Sequence, residues 1–286
     1  SIIKGAFGDN SLSGTGTDMV VYNLGNTNGI RLLNGAGFSG EYSTTLATNA
    51  NVKLSGNVAA STVSINSLIL NGYDVTNASA TITMASASLA GNILINSANT
   101  IAGASTTLGI TTFELNILAT ASSTISAIIG TATTGSLTLS GTGGVTLSTA
   151  SLHTGLTAIN GTTLFYGASN VLSSGGVTVV GGTLDIAGFS DTVGAVILQN
   201  GTITGGAGTL IGTSYSFREG TVSAILGSSA AAVTVVATSA PADAVVTMTR
   251  DNMYTGTTTI TSGILKLGAT GGGTNTPLGT TGNGTL

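Results

Sequence analysis

The feature that most constrains this chain is its punctuation. Short runs in which apolar and small polar residues alternate are each cut off by Gly, Asn or Ser; they include STVSINSLIL (61–70), ATITMAS (80–86), GNILINS (91–97), GSLTLSG (135–141), GVTVVGGTLDIAG (176–188), GTITGG (201–206) and AAVTVVAT (231–238). Alternation with period two is the signature of a strand with two unlike faces. Helix-forming residues are scarce, and glycine occurs 44 times in 286 residues. A glycine inside a helix costs about 1 kcal/mol relative to alanine, so long helices are excluded. The chain is therefore all-β. Strands this short cannot span a wide sandwich, and their close spacing suits a β-solenoid, in which each turn of chain adds one strand to each of several parallel faces.

Composition narrows the alternatives. Hydrophobic residues make up 41% of the chain, with no Trp and 4% aromatics, while charged residues are 6% and the net charge is −4. Disordered chains combine low hydrophobicity with high net charge, the opposite pattern. The core must be built from small branched side chains. Thr221 to Val246 is the most apolar stretch, but Ser, Thr, Gly and Pro241 interrupt the run of about 20 apolar residues that a spanning helix needs. The thin scatter of Tyr and Phe cannot form the aromatic girdles of an outer-membrane barrel. With no cysteine there is neither a disulfide framework nor a thiolate metal site. Lys4, Arg31, Lys53, Arg218, Arg250 and Lys266 stand singly, which leaves no basic stripe for nucleic acid.

A solenoid should resemble itself along its length. At an offset of 101 residues, VTLSTASLHTGLTAINGTTLFYGA (145–168) aligns without a gap on VTMTRDNMYTGTTTITSGILKLGA (246–269), and nine of the 24 positions are identical. The matches include Val145/Val246, Ile159/Ile260 and Leu164/Leu265, so the order of turn and strand is preserved with the apolar positions. Because successive strand residues face opposite sides, Thr258 and Ile260 share one face before the turn at Gly263. Leu265 and Leu267 then face inward and are expected to be buried, with Lys266 outside. The same parity turns Leu164, Tyr166, Leu184 and Ile186 inward and Phe165 and Asp185 outward. No stretch reads as a polar cap for the ends of such a stack.

The second copy also resembles the autotransporter-associated β-strand repeat proteins, whose passengers carry the phrase N-x-Y-T-G-x-T-x-I-x-x-G-T-L-x-x-G. Asn252, Tyr254, Thr255, Gly256, Thr258, Ile260, Gly263, Leu265 and Gly268 fill its fixed positions, with Ile264 where Thr is usual. The earlier copy departs from it at Ser151, His153 and Thr162. The resemblance implies a right-handed parallel β-helix, one continuous solenoid over 1–286 that forms part of a larger bacterial protein, exported across the outer membrane or held at the cell surface. At the family's spacing each rung takes about 20 to 25 residues.

Chemistry is sparse in this sequence. Polysaccharide lyases and hydrolases built on β-helices need carboxylates about 5 to 10 Å apart, or carboxylates around a metal. The nearest acidic pair in sequence is Asp185 and Asp191, and both have ordinary explanations as strand and turn residues. His153, the one histidine, stands where the repeat phrase has Tyr and reads as a ring packed against a turn. The glycine clusters lack the Lys-Ser/Thr of a phosphate loop. We therefore expect no catalytic residues, no cofactor and no metal. The expected role is a non-catalytic structural or adhesive solenoid, a surface-display stalk or adhesin passenger whose partners are further solenoid segments, other copies of itself, or surface glycans and proteins. A self-assembling filament or sheath subunit is the alternative, and a β-helix polysaccharide lyase or hydrolase the third.

Overall fold

The computed structural model describes residues 2–9, 16–22, 29–35, 39–84, 90–110, 113–131, 134–227, 230–237 and 244–280. Asp243 and the final segment 281–286 lie outside the described residues. All regular elements among the described residues are β-strands, and most of them stack in parallel as a β-solenoid. The chain forms two compact units, Ser1–Thr154 and Gly155–Leu286.

In the first unit one parallel ladder runs through Tyr42–Ser43, Asn51–Lys53, Ser67–Ile69, Gly91–Ile95, Leu115–Ala119 and Leu137–Ser140. A second joins Val58–Ala59, Val75–Thr76, Thr100–Ile101, Ser123–Ile125 and Gly144–Leu147. A third joins Val63–Ile65, Ala80–Met84, Thr106–Ile110 and Ile128–Ile129. Register puts like on like. Val52, Leu68, Ile93, Ile117 and Leu139 form one continuous inward column in which every member is fully buried. Burying a side chain of this size contributes about 1.5 to 3 kcal/mol, so each added turn extends a core that no single turn could make alone.

The second unit repeats the plan. Thr157–Asn160, Val177–Asp185, Ala195–Thr204, Ser214–Phe217, Val233–Val235 and Thr258–Ile260 form one ladder. Thr163–Tyr166, the later halves of Val177–Asp185 and Ala195–Thr204, Gly220–Val222, Val245–Met248 and Ile264–Leu267 form another. The third is Asp191–Thr192, Thr209–Ile211 and Ile225–Leu226. Where two faces meet, stacked glycines are required: a Cβ on Gly201 would sit 2.2 Å from the Gly182 carbonyl oxygen, and one on Gly220 would sit 2.3 Å from that of Gly201. Both have φ above +120°, which L side chains rarely adopt.

Two additions are antiparallel. Ile2–Gly8, Asp18–Tyr22 and Ile30–Leu32 form a three-stranded sheet that packs on the outside of the first unit's wall. Met19, Val21 and Leu33 meet Ile69 and Leu94, with Phe7, Tyr42 and Leu118 around them. Ile69 and Leu94 face away from the inner column, and Gly91–Ile95 is buried at every position because it is covered on both sides. The alternation assigned to GNILINS therefore gives only its inner half. At the other end of the chain, Asn275–Thr276 and Gly279–Thr280 make a short hairpin, bridged to Asn252 through Thr276.

One expectation is overturned. Leu267 is 44% exposed and Leu265 is only half-buried, and Ile260 is 41% exposed although Thr258 beside it is buried. Their parity is as expected. Leu267 continues the column Leu164, Leu184, Ile203, Val222 and Met248, and Ile260 continues Ile159, Val179, Leu198, Phe217 and Val235. Both stand on the last rung of their ladders among the described residues, with a paired strand on one side only; Thr258, on the same rung as Ile260, is covered by Tyr254, whose hydroxyl lies 2.6 Å from its Oγ1.

Candidate functional site

The strands of the two repeat copies are equivalent at the same offset: Gly144–Leu147 matches Val245–Met248, Thr157–Asn160 overlaps Thr258–Ile260, and Thr163–Tyr166 matches Ile264–Leu267. The sequence repeat is not the turn repeat, however. Ile159 reaches Ile260 through five successive turns of the ladder, each between 18 and 25 residues by the register of the column.

Among the motif positions, Asn252 makes three side-chain hydrogen bonds. Its Oδ1 accepts from Leu226 N at 2.8 Å, and its Nδ2 donates to Arg250 O at 3.1 Å and Pro277 O at 2.8 Å. One buried amide thus ties its own turn to the chain on either side. Tyr254 is fully buried, its hydroxyl 2.6 Å from Thr258 Oγ1, and its ring lies 6.2 Å from that of Tyr215, which in turn lies 6.0 Å from Phe217. Burial pushes the Tyr254 phenol up to about 12. Gly256 leaves no space for a Cβ, which would fall 2.2 Å from Ala231 O, and Gly263 turns with φ +85°. Thr255 and Gly268 are exposed turn residues. The motif is a corner that holds turns together.

In the earlier copy Ser151 and His153 are buried. Leu152 N donates to Ile129 O at 2.7 Å, as Met253 N does to Leu226 O at 2.8 Å, so the path of the chain is kept. The His153 imidazole is held down to about 4, chiefly because burial disfavours its cation.

The two carboxylates nearest in sequence do not converge. Asp185 stands between buried Leu184 and Ile186 on the outer side of the wall, and its Oδ1 accepts from Ala187 N at 2.8 Å within its own turn. Asp191 is 1% exposed and points inward, where its Oδ2 accepts from Leu172 N at 2.9 Å. Its Oδ1 and the Tyr166 hydroxyl are buried without a well-formed hydrogen bond. Burial raises both the Asp191 carboxyl and the Tyr166 phenol.

Among the described residues, titratable groups gather at one further place, which sequence spacing could not reveal. Arg31 grips Glu41 with two bonds of 2.5 and 2.6 Å, and Glu41 Oε2 also accepts from Asn34 N. Tyr42 donates to Asp18 Oδ1 at 2.7 Å while Lys53 Nζ lies 3.3 Å from Asp18 Oδ2. Arg31 holds the Glu41 carboxyl below its usual range, and burial pushes the Tyr42 phenol up. Every pair joins the antiparallel sheet to the first turns of the solenoid, so this cluster is a clasp. Asn92 extends it through Gly5 N and Ile3 O, each at 3.1 Å.

A shallow groove of about 430 Å³ in the second unit is lined by Ile225, Thr249, Arg250, Asp251, Met253 and Asn275, among others. Arg250 Nη2 donates to Gly206 O at 2.9 Å. Among the described residues no three His, Asp or Glu side chains gather as a metal site would require, and no helix is long and apolar enough to cross a membrane. No family model matches the chain, and searches of curated proteins and of solved structures find no match.

Proposed function

We propose that this chain is a non-catalytic structural and adhesive β-solenoid belonging to a bacterial cell-surface or extracellular protein. The observation that carries this reading is how its polar side chains are used. Asn252 ties the chain on either side of it, Asp191 accepts from the preceding turn at Leu172, and Asp74 accepts from Thr100 N at 2.8 Å on the following one. Such bonds stabilise turn stacking, and a group committed to the backbone is not available to a substrate. The resemblance of 252–268 to the autotransporter-associated repeat supports the surface location. Partners on this reading are adjoining solenoid segments and surface glycans or proteins.

A filament subunit is the second reading, favoured by the exposed ends of the two inward columns at Ile260 and Leu267, which a further rung from another copy would cover. A lyase or hydrolase is disfavoured by Asp185 facing outward on one ladder while Asp191 faces inward on another. The test is incubation of the purified chain with neutral and acidic polysaccharides. Unchanged polymer, together with resistance of the chain to broad-specificity protease, is expected. Turnover that disappears in Asp185→Asn or Asp191→Asn overturns the non-catalytic reading, and concentration-dependent fibres in electron micrographs favour the filament.

A further inference from the structure

One outer face of the second unit is chemically uniform in a way its neighbour is not. Thr163, Thr183, Thr202, Thr221 and Thr247 are paired one to one across five successive strands, with no register shift between them. All five are half-buried and outward, alternating with the buried inward residues beside them. Two residues further on stand Thr204, which ends its strand, and Ser223 and Thr249, each just past the end of its own, and Ser223 Oγ donates to Thr204 Oγ1 at 2.9 Å. That second rank begins with Phe165 and Asp185, the latter paired with Thr204, and Lys266 follows Thr247 on the last rung.

Strand propensity by itself would put threonine anywhere on a solvated face. The adjacent ladder of the same unit shows what that produces: its outward rank reads Ala158, Thr178, Ile197, Ser216, Thr234 and Thr259. The uniform rank recurs in the first unit, where Thr100, Thr124 and Thr146 are paired in register with Ser126 and Ser148 two residues on.

Parallel strands set these side chains roughly 4.8 Å apart along the rank and roughly 6.6 Å apart between ranks. On the three rungs where both ranks carry hydroxyls this makes a rectangular grid of hydroxyls and methyls, close along the rank to the oxygen spacing on a prism face of ice and somewhat shorter than it between ranks. Each hydroxyl can anchor one lattice water, and each methyl restricts the water beside it. Single contacts of this kind are weak in liquid water. They add up only against a surface with the same period, which is the logic of multivalent binding. The grid lacks the aromatic platforms that would stack on sugar rings; Phe165, beside Asp185 at one end, is its single aromatic.

We propose that this threonine face of the second unit binds ice. The inference rests on the adhesive reading only for its use to the cell, since ice is then the surface to which the solenoid adheres; the binding itself is measurable on the purified chain. The experiment is partition of the chain into a slowly growing ice hemisphere, together with the shape of single ice crystals. It compares the native chain with Thr221→Tyr and Thr202→Lys on the grid and with Thr234→Tyr on the adjacent face, each checked for an unchanged thermal midpoint. The expected result is enrichment and crystal faceting for the native chain and Thr234→Tyr, with loss to the level of an inert protein for both grid variants. Exclusion of the native chain from ice overturns the proposal, as does equal enrichment of folded grid variants. Retention on crystalline cellulose or chitin without ice uptake would reassign the face to polysaccharide. None of these failures touches the non-catalytic reading, which the polysaccharide turnover assay decides separately.

Discussion

At 252 the repeat carries a buried asparagine whose amide makes three hydrogen bonds to backbone groups, whereas at 151 the equivalent serine is buried with its Oγ unbonded. At 254 it carries a buried tyrosine whose ring is tilted against that of Tyr215, and at 153 a buried histidine. Leu164 and Tyr166 are enclosed, while Leu265 and Leu267 are not. The strands nevertheless fall at equivalent positions. Position is set by the alternation and the turn glycines, which both copies share closely enough. The strength of each corner is set by side chains that vary between them.

That contrast can be broken experimentally. The largest effect is expected from removing the same inward leucine in each copy. Leu164→Ala should destabilise by about 2 to 5 kcal/mol, the usual range for a buried leucine, and Leu265→Ala by under about 1 kcal/mol, because an open site loses little on truncation. Urea denaturation of the two variants checks this, and equal losses would mean that the last rung is covered in solution.

The second effect depends on pH. The His153 imidazole is held near 4 against an ordinary value of 6.5, so the unfolded chain binds the extra proton first. Stability from this group is complete above about pH 6.5 and declines as pH falls towards 4, by a total of roughly 3 kcal/mol. His153→Tyr, which installs the residue of the other copy, should flatten that part of the stability profile between pH 4 and 6.5. A slope that persists in the variant would assign it to other groups.

Next comes the amide. Asn252→Ala leaves Leu226 N, Arg250 O and Pro277 O without their partner and should cost about 2 to 3 kcal/mol, against under about 0.5 kcal/mol for Ser151→Ala. Hydrogen exchange at Leu226 gives a local readout, and unchanged protection there in Asn252→Ala would remove the amide's assigned role. The smallest effect concerns Asp191, whose carboxyl burial raises. Keeping the carboxylate charged there is unfavourable above the ordinary aspartate range, so stability from this group is full at low pH and falls as pH rises. Asp191→Asn keeps an acceptor for Leu172 N and should raise the midpoint at pH 7 by the equivalent of about 1 kcal/mol, with no gain at pH 3. A loss at pH 7 would show that the charge is used.

The inward parity of Leu164, Leu184, Ile186 and Leu267 was legible because strand alternation is a local property that neighbouring residues determine between them. The burial of Leu267 was not, since it depends on a rung that pairs with it across a full turn of chain. The outer core of Met19, Val21, Ile69 and Leu94 was hidden for the same reason: Gly91–Ile95 reads as an alternating strand until a separate antiparallel sheet covers its outer side. Of the candidate site, the corner at 252–268 was visible as a motif. The clasp formed by Asp18, Arg31, Glu41, Tyr42 and Lys53 was not, because no spacing law links those positions.

The sequence by itself determined that the chain would be built from short strands, that its inner columns would be aliphatic, and that glycine would stand at the corners. Those features follow from backbone geometry and the two-residue period of a strand. Only the tertiary structure decided which threonines stack into a rank, which asparagine joins neighbouring turns, and which wall receives a second layer. Those depend on register between turns, and turns of 16 to 25 residues in the two main inward columns place the same side chain over different neighbours from one rung to the next.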